Sequence, residues 1–346
     1  MEKHLSMSTE DISIKNKLTG RKLVKGLLPV VFSLFLLSGC GSTLEKPFNA
    51  DTALTRMNSV NTGNGEESLK AKGFAYNLAV PGTTDFNNNN MTASTSLLVE
   101  LGEDGHPESV AYSNPYTRTY PASITKLMTA LVCLENVDDL QQEFTVTQNS
   151  VIKVSGSSTA YLQTGETLTI EELLYGMLLP SGNDAAVAVA EATAGSVDAF
   201  VQMMNDEAMR LGCTGTHFVN PNGLPDDNHY TTPYDIYLIL REALKYDAFR
   251  EIVGSDSYAV KYKDRNGQPK SQTWKDTNLY LLGEKETPEG ITVLGGKTGT
   301  TKKAGYCLAM AVRKNDSGKE YIAIVMQGES KDDLYENMTN LLLKLH

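Results

Sequence analysis

The fold is decided by residues 121–134, PASITKLMTALVCL, where a proline and two small residues lead into an apolar run. The apolar residues of this run recur every three or four positions, which predicts a buried helix that begins at or near Ser123. Lys126 lies one turn further along, and residues i and i+3 share a face of a helix. The stretch therefore places an ammonium beside a hydroxyl at a helix start, where backbone N–H groups and a partial positive charge collect.

A serine hydroxyl is a weak nucleophile unless a base takes its proton. Lysine can be that base if burial or a nearby cation lowers its pKa toward neutrality. The Ser-x-x-Lys pattern alone is a weak indication, because it arises by chance about once in a chain of ordinary composition. Ser150 and Lys153 repeat it here, followed by VSGSS at 154–158, which is typical of a turn or loop. We interpret this second copy as structural and solvated.

A second segment, SGN at residues 181–183, lies between two apolar runs and directly follows a proline. A polar turn between two buried helices is costly unless its side chains face a cavity, so Ser181 and Asn183 are candidate site residues. The alternative is a plain connection in which Ser181, Asn183 or Asp184 caps the next helix.

A third segment, ITVLGGKTGT at residues 291–300, passes from β-branched to small residues. It predicts a strand whose glycines, Gly299 among them, let a ligand backbone lie close against it. Lys297 would add a second fixed cation, and two neighbours would offer hydroxyl and N–H groups to an anionic substrate: Thr298 and Thr300. A Lys-Thr-Gly in a loop is the alternative for this segment alone. The occurrence of all three segments in order favours one combined site.

The three segments resemble the signature of penicillin-binding proteins and class A β-lactamases. The chain is most similar to low-molecular-mass penicillin-binding proteins that are serine D-alanyl-D-alanine carboxypeptidases of the peptidase S11 type, from about Ser94 to the C-terminus. Longer stretches share the likeness: TGETLTIEELL at 164–174, LPSGNDAA at 179–186 and FVNPNGLP at 218–225. The resemblance implies an α/β (α+β) fold of the β-lactamase/transpeptidase type, an antiparallel sheet covered by helices with an inserted helical subdomain.

The residue pattern agrees with strands at both ends of the domain and helices between them. A hairpin is predicted over residues 97–112, helical patterns dominate residues 123–246, and a strand is predicted near Ile291. The apolar runs 306–312 and 321–326 predict a second pair of strands. A last helix is expected from about Lys331 to Leu345.

Carried onto these positions, the resemblance implies acyl transfer through an acyl-Ser123 intermediate. Ser123 attacks the carbonyl between the last two D-alanines of a peptidoglycan pentapeptide stem, Lys126 accepts its proton, and Ser181 relays that proton to the departing amine. Asn183 holds Lys126 and the substrate amide in register. The backbone N–H groups of Ser123 and Thr300 form the oxyanion hole, and three residues bind the terminal carboxylate: Lys297, Thr298 and Thr300. β-Lactam antibiotics are expected as covalent inhibitors, and no cofactor is expected.

Two alternatives share these residues. A class A β-lactamase would need a glutamate that activates the deacylating water, beyond the Ser-x-Asn triplet by analogy with that family. The corresponding stretch, GTHFVNPN at 215–222, contains no acid. A β-lactam sensor or wall-binding protein would be acylated without turnover. Water and an amine compete for one acyl-enzyme, so transpeptidase and endopeptidase activities stay open as well.

The N-terminal residues are interpreted as a lipoprotein signal peptide, residues 1–39. Basic residues precede an apolar run at 27–37 that is short for a membrane span, and LSGC at 37–40 resembles a lipobox with Cys40 as the lipidated residue. A chance cysteine after an ordinary signal peptide is the alternative. Residues 40–72 then form a flexible tether and residues 73–346 the catalytic domain. We expect the lipid to anchor the protein at the extracytoplasmic face of a bacterial membrane, in place of the C-terminal helix of longer family members.

Charge and the remaining reactive residues exclude other classes. The net charge of −11 argues against nucleic-acid partners, since phosphate binding requires clustered cations. The histidines have no metal-binding spacing, and His217 and His229, which flank the 218–225 loop, are assigned to surface or loop hydrogen bonds. Three cysteines are expected to be buried free thiols: Cys133, Cys213 and Cys307.

Overall fold

The computed structural model describes residues 78–82, 91–102, 106–152 and 154–346 of the chain. Its strands are β1 (Thr95–Glu100), β2 (Glu108–Ser113), β3 (Glu143–Thr145), β4 (Thr167–Thr169), β5 (Ser257–Lys263), β6 (Pro269–Lys275), β7 (Ile291–Thr301), β8 (Gly305–Lys314) and β9 (Glu320–Gly328). A five-stranded antiparallel sheet has the order β2-β1-β9-β8-β7, which leaves β7 at an edge. A smaller antiparallel sheet has the order β3-β4-β5-β6.

The helices are α1 (Lys126–Asn136), α2 (Ile170–Leu178), α3 (Asn183–Ala194), α4 (Val197–Leu211), α5 (Pro233–Ala243), α6 (Asp247–Val253) and α7 (Lys331–Leu342). A 3₁₀ turn, Ala122–Thr125, leads directly into α1. Several helix starts carry a local capping signal: Thr169 forms a capping box with Glu172, and the hydroxyls of Ser196 and Thr232 accept backbone N–H bonds at α4 and α5. Within the described ranges, no helix is both long and apolar enough to cross a membrane.

The five-stranded sheet is buried on both faces, which explains its nearly continuous apolar strands. Successive residues of β9 point to opposite faces. Ile322 and Ile324 belong to the core cluster that contains the apolar residues of α1 to α5, while Ala323 and Val325 pack in a second cluster with α7. The sheet, with β7 at its edge, therefore forms the middle layer of the domain, and helices pack on both of its faces.

The expected fold is confirmed: an antiparallel sheet covered by helices, with both predicted strand pairs present as β1–β2 and β8–β9. The last helix ends at Leu342, and a 3₁₀ turn continues it to Leu345. The helical interpretation of residues 123–246 omitted β3 and β4, which are only three residues long. The β5–β6 hairpin was also unpredicted, because its strands are largely polar and bury only alternate residues, such as Val260 and Tyr262.

Two further expectations concern buried residues. The three thiols are buried and free, as predicted: Cys133, Cys213 and Cys307. The solvated interpretation of Ser150 is wrong, because this side chain is fully buried and its hydroxyl donates to Glu191. The predicted signal peptide, Cys40, the tether and the domain boundary at residue 73 lie outside the described residues.

Candidate active site

Ser123 sits in the 3₁₀ turn before α1, and two other segments press against that turn. Ala122 has a φ of 48°, an unfavourable value for a residue with a side chain. A Cβ added at Gly223 would lie 1.8 Å from the Ala122 carbonyl oxygen, and one added at Gly299 would lie 3.0 Å from the Ser123 nitrogen. The turn therefore packs closely between the 218–225 loop and β7, and the contact with Gly223 leaves no room for a side chain.

Lys126 is the first residue of α1 and is completely buried. Its Nζ lies 3.0 Å from Ser123 Oγ, 2.7 Å from Asn183 Oδ1 and 2.7 Å from the carbonyl oxygen of Asn222. Burial lowers the pKa of Lys126 well below its usual value, the positive charge of Lys297 lowers it further, and a nearby carboxylate only partly opposes this. The site thus favours a neutral amine in contact with the Ser123 hydroxyl.

The polar Ser-Gly-Asn turn is buried because a carboxylate ties it to a neighbouring segment. Asp184 accepts hydrogen bonds from the backbone nitrogens of Ala160 at 2.8 Å and Leu162 at 2.9 Å. Ser181 has a φ of 63°, and its Oγ is buried without a hydrogen-bond partner in the described structure. A hydroxyl without a protein partner, held in a strained conformation beside a cleft, is a candidate contact for a bound ligand.

Lys297 lies on edge strand β7, and its Nζ is also buried without a hydrogen-bond partner among the described residues. Burial lowers its pKa to about 8, against the raising effect of the nearby Asp276 carboxylate. Burial likewise raises the pKa of Asp276 to about 6, which Lys297 opposes. The next residue of the strand, Thr298, is braced by a 2.5 Å hydrogen bond between its Oγ1 and that of Thr277.

The glycines of β7 also allow close packing inside the protein, which the sequence did not predict. A Cβ at Gly295 would lie 2.4 Å from the Val253 carbonyl oxygen, and one at Gly296 would lie 2.3 Å from that of Ala309. These glycines, like Gly299, are needed for packing against the protein's own backbone. Gly299 also lines the cleft, and the expectation that these glycines let a ligand backbone lie close stays a prediction.

A cleft of about 240 Å³ opens between these elements. It is lined by hydroxyl-bearing residues, a glycine, an exposed lysine and an apolar rim: Ser123, Ser158, Ser181, Thr277, Thr298, Gly299, Thr300, Tyr306, Lys331, Leu334 and Tyr335. No carboxylate is among these lining residues of the described structure. In the same described ranges, no group of three or more His, Cys, Asp and Glu side chains could hold a metal ion.

The structure brings the predicted residues to one place. Lys126 contacts Ser123 and Asn183 directly. Lys297 is buried on β7, and four further predicted residues line the cleft: Ser181, Thr298, Gly299 and Thr300. The sequence analysis missed the acceptor carbonyl of Asn222, because a backbone oxygen has no sequence signature. It also missed Asp276, whose partner is brought to it only by the fold.

His229 forms a loop hydrogen bond, one of its two predicted roles, because its Nδ1 accepts from the Val219 nitrogen, but it does not lie at the surface. This side chain is 1% exposed and hydrogen-bonds to Thr125 within the Ser123 turn. Its sequence position in a polar loop gave no sign of that burial.

A nucleophile-bearing helix start, a Ser-x-Asn turn and a Lys-Thr-Gly edge strand around one cleft define the class of penicillin-interacting serine peptidases and β-lactamases. A family model described as D-alanyl-D-alanine carboxypeptidase, peptidase S11, matches residues 83–330. The chain belongs to this family.

Individual relatives agree with that membership. The chain is 34% identical over 254 residues to the D-alanyl-D-alanine carboxypeptidase DacF of Bacillus subtilis, covering 72% of this chain and 61% of that protein. It is 34% identical over 224 residues to the D-alanyl-D-alanine carboxypeptidase of Streptomyces sp. strain K15, covering 62% and 74%. The chain thus spans less than two thirds of the Bacillus subtilis relative's length. The solved structure of the Streptomyces K15 DD-transpeptidase superposes with a TM-score of 0.67 at 30% identity, covering 74% of this chain and 98% of that one.

Proposed function

We propose that this protein is a serine-type D-Ala-D-Ala carboxypeptidase that removes the terminal D-alanine of peptidoglycan pentapeptide stems through an acyl-Ser123 intermediate. The observation that carries the proposal is the set of three oxygen atoms around Lys126 Nζ: Ser123 Oγ, Asn183 Oδ1 and the Asn222 carbonyl oxygen. Family membership and the orphaned polar groups of the cleft support it.

The geometry around Lys126 fits a general base. The Asn222 carbonyl and the Asn183 amide oxygen can only accept hydrogen bonds, so they take two N–H groups of the lysine. A neutral amine has two N–H groups and one lone pair, and the lone pair then faces the Ser123 hydroxyl at 3.0 Å. That distance is within the reach required for proton abstraction. Asn183 and Asn222 thus orient the amine, while burial and Lys297 lower its pKa and so favour the neutral form.

The two orphaned groups fit the substrate. Lys297 would attract the terminal carboxylate of the stem, with the hydroxyl of Thr298 and the exposed Thr300 beside it. Ser181 Oγ would return the proton to the departing D-alanine amine. Both groups are buried without a protein partner in the described structure, so a substrate can bond to them without breaking a hydrogen bond within the protein.

Transpeptidation is the second candidate, because a solved relative carries the name DD-transpeptidase. The acyl-enzyme is the same, and only the acceptor differs. Purified protein incubated with diacetyl-Lys-D-Ala-D-Ala should release D-alanine, measured with a coupled D-amino-acid oxidase assay. Adding glycine or a stem-peptide amine separates the two activities: a carboxypeptidase keeps yielding the hydrolysed dipeptide, whereas a transpeptidase diverts most product to the amine adduct. No D-alanine release from either mixture would contradict both.

A β-lactamase activity is disfavoured by the cleft lining, which includes no carboxylate in the described structure. Benzylpenicillin should therefore form an acyl-Ser123 adduct that outlives the acyl-enzyme of the peptide substrate, surviving for minutes or longer in intact-protein mass spectrometry. D-Alanine release should return only as the adduct decays. Rapid loss of the adduct with many turnovers of penicillin per minute would make the protein a β-lactamase instead.

We further propose that the protein works outside the cytoplasmic membrane, anchored through a lipid on Cys40. The lipobox-like sequence at 37–40 and the basic and apolar residues before it support this. Radiolabelled palmitate should label the wild-type protein in cells and should not label a Cys40→Ala variant. Wild-type protein that remains unlabelled would contradict the anchor without affecting the proposed chemistry.

A further inference from the structure

His229 is a buried imidazole that contacts the Ser123 turn from behind. It is 1% exposed and packs edge-on against Phe218, with ring centroids 5.5 Å apart. Its Nε2 lies 2.8 Å from Thr125 Oγ1, and its Nδ1 lies 3.1 Å from the Val219 nitrogen. Both ring nitrogens are therefore engaged, one with the nucleophile turn and one with the 218–225 loop.

The partners determine which nitrogen carries the proton. The Val219 N–H can only donate, so His229 Nδ1 accepts. The single hydroxyl proton of Thr125 goes to the Ala122 carbonyl oxygen at 2.8 Å, because a carbonyl can only accept. Thr125 Oγ1 then accepts from Nε2–H. Burial lowers the pKa of His229 to about 4, in agreement with a neutral ring.

These bonds form one directed chain, from Val219 N–H to His229, from His229 to Thr125, and from Thr125 to the Ala122 carbonyl. The chain ends on the residue before the nucleophile, and that residue has a φ of 48°. A strained backbone of this kind persists only where surrounding contacts determine it. Two contacts meet the Ala122 carbonyl oxygen: the close approach of Gly223 and the hydrogen bond from Thr125.

We propose that neutral His229 is a positioning residue for Ser123, acting through Thr125 to hold the strained Ala122 turn in the conformation that aims the Ser123 hydroxyl at Lys126. This inference rests on the proposed function. His229 does not touch the cleft in this arrangement. Loss of these hydrogen bonds lets the turn relax, which misplaces the nucleophile while leaving the groups that bind the substrate carboxylate in place.

The test measures two constants separately: the rate constant k2 for acylation by penicillin and the dissociation constant K of the non-covalent penicillin complex. The proteins compared are wild type, Thr125→Val, His229→Asn and the double variant. Valine keeps the shape of threonine without the hydroxyl, and asparagine keeps an acceptor near the Nδ1 position without the Nε2 donor. Each single variant should lower k2 about 10-fold, as expected for a lost buried hydrogen bond, with K unchanged. The double variant should also lose about 10-fold, since both changes break one chain.

Two further variants serve as controls. Thr125→Ser restores the hydroxyl and should restore k2 to within about 3-fold of wild type. His217→Asn alters a half-buried histidine at the other end of the 218–225 loop, bonded to the Asn228 carbonyl, and should leave k2 unchanged. If His229→Asn does not fold, as judged by circular dichroism, the Thr125→Val and Thr125→Ser pair decides the question alone.

The failures are distinguishable. Wild-type protein that is not acylated at Ser123 would overturn the proposed function. Acylated wild type with variants that keep its k2, or a double variant that loses about 100-fold because the effects add, would overturn only the role of His229. Lower melting temperature with unchanged k2 in the folded fraction would show that His229 stabilises the loop and does not position the nucleophile.

Discussion

Two serines of this chain carry the same Ser-x-x-Lys spacing and lie in opposite environments. Ser123 is half-buried at the cleft, and its Oγ lies 3.0 Å from Lys126 Nζ, whose pKa is lowered by burial well below its usual value. Ser150 is fully buried, and its hydroxyl donates a hydrogen bond to the Glu191 carboxylate at 2.7 Å. The first hydroxyl faces a base and a cavity, whereas the second is fixed as a donor inside packed protein.

The comparison of Ser123 with Ser150 shows which surroundings make the serine of a Ser-x-x-Lys pattern a nucleophile. A fully buried hydroxyl that donates to a carboxylate gains a strong structural hydrogen bond and has no room for a substrate. A hydroxyl beside a desolvated lysine can lose its proton, provided that a cleft admits the carbonyl it attacks. The spacing of three residues supplies neither the cavity nor the lowered pKa.

The largest contrast between the two serines is expected in acylation. Ser123→Ala should reduce fluorescent-penicillin labelling and D-alanine release to background, because no other group replaces the attacking oxygen. Ser150→Ala should leave both rates unchanged. Labelled penicillin retained by the Ser123→Ala protein would contradict the assignment of the nucleophile.

Substitution of Lys126, the lysine of the Ser123 segment, should reduce acylation nearly as much. Lys126→Arg keeps the charge but removes the neutral base, so acylation should fall by at least about 100-fold. Lys297→Arg should lose only about 10-fold, because its proposed role is electrostatic and arginine preserves the cation. Stopped-flow acylation with a chromogenic cephalosporin measures both variants. Equal losses would contradict this division of roles.

A glycine in each region gives a matched test of how tightly the surroundings hold the serine. Gly223→Ala places a Cβ 1.8 Å from the Ala122 carbonyl oxygen, and the displaced turn should cost about 100-fold in acylation. Gly156, in the loop after Ser150, has a similar positive φ of 75° but nothing within 4 Å of an added Cβ. Gly156→Ala should therefore cost about 1 kcal/mol of stability and no acylation. Similar acylation losses in both variants would indicate a general folding defect.

The pH dependence of acylation should separate the two lysines. Acylation requires neutral Lys126, so its rate should rise with pH through the lowered pKa of that residue. It also requires cationic Lys297, so the rate should fall about 10-fold per unit as pH rises above the pKa of about 8. Lys297→Arg should remove this alkaline decline, because arginine stays protonated. A decline that persists unchanged in Lys297→Arg would assign it to another group.

The smallest effect is expected at Ser150 itself. Ser150→Ala removes one donor from Glu191, but the hydroxyl of Thr147 still donates to the same carboxylate oxygen at 2.6 Å. The free energy of unfolding should therefore fall by only about 1–2 kcal/mol, measured by urea denaturation. No change in stability would mean that the Ser150–Glu191 hydrogen bond contributes no more than the bond that the hydroxyl makes to water in the unfolded protein.

Much of the site was predictable because it depends on residue patterns within short segments of the sequence. The helix start at Ser123, the Ser-Gly-Asn turn and the strand around Lys297 each have a residue pattern of their own. The acceptor carbonyl of Asn222 and the carboxylate of Asp276 have none, since their roles arise from segments distant in sequence. The burial of His229 was unpredictable for the same reason.

The sequence by itself determined the three chemical segments, their order and the class of fold, because apolar spacing and residue type act over a few neighbouring positions. It could not distinguish Ser123 from Ser150 by spacing, nor show that the glycines of β7 serve internal packing. Only the tertiary structure decided which lysine is desolvated, which hydroxyl meets a base and which polar atoms lack a partner. Desolvation and long-range contacts are properties of the packed chain, and they set the pKa of Lys126 on which the proposed chemistry depends.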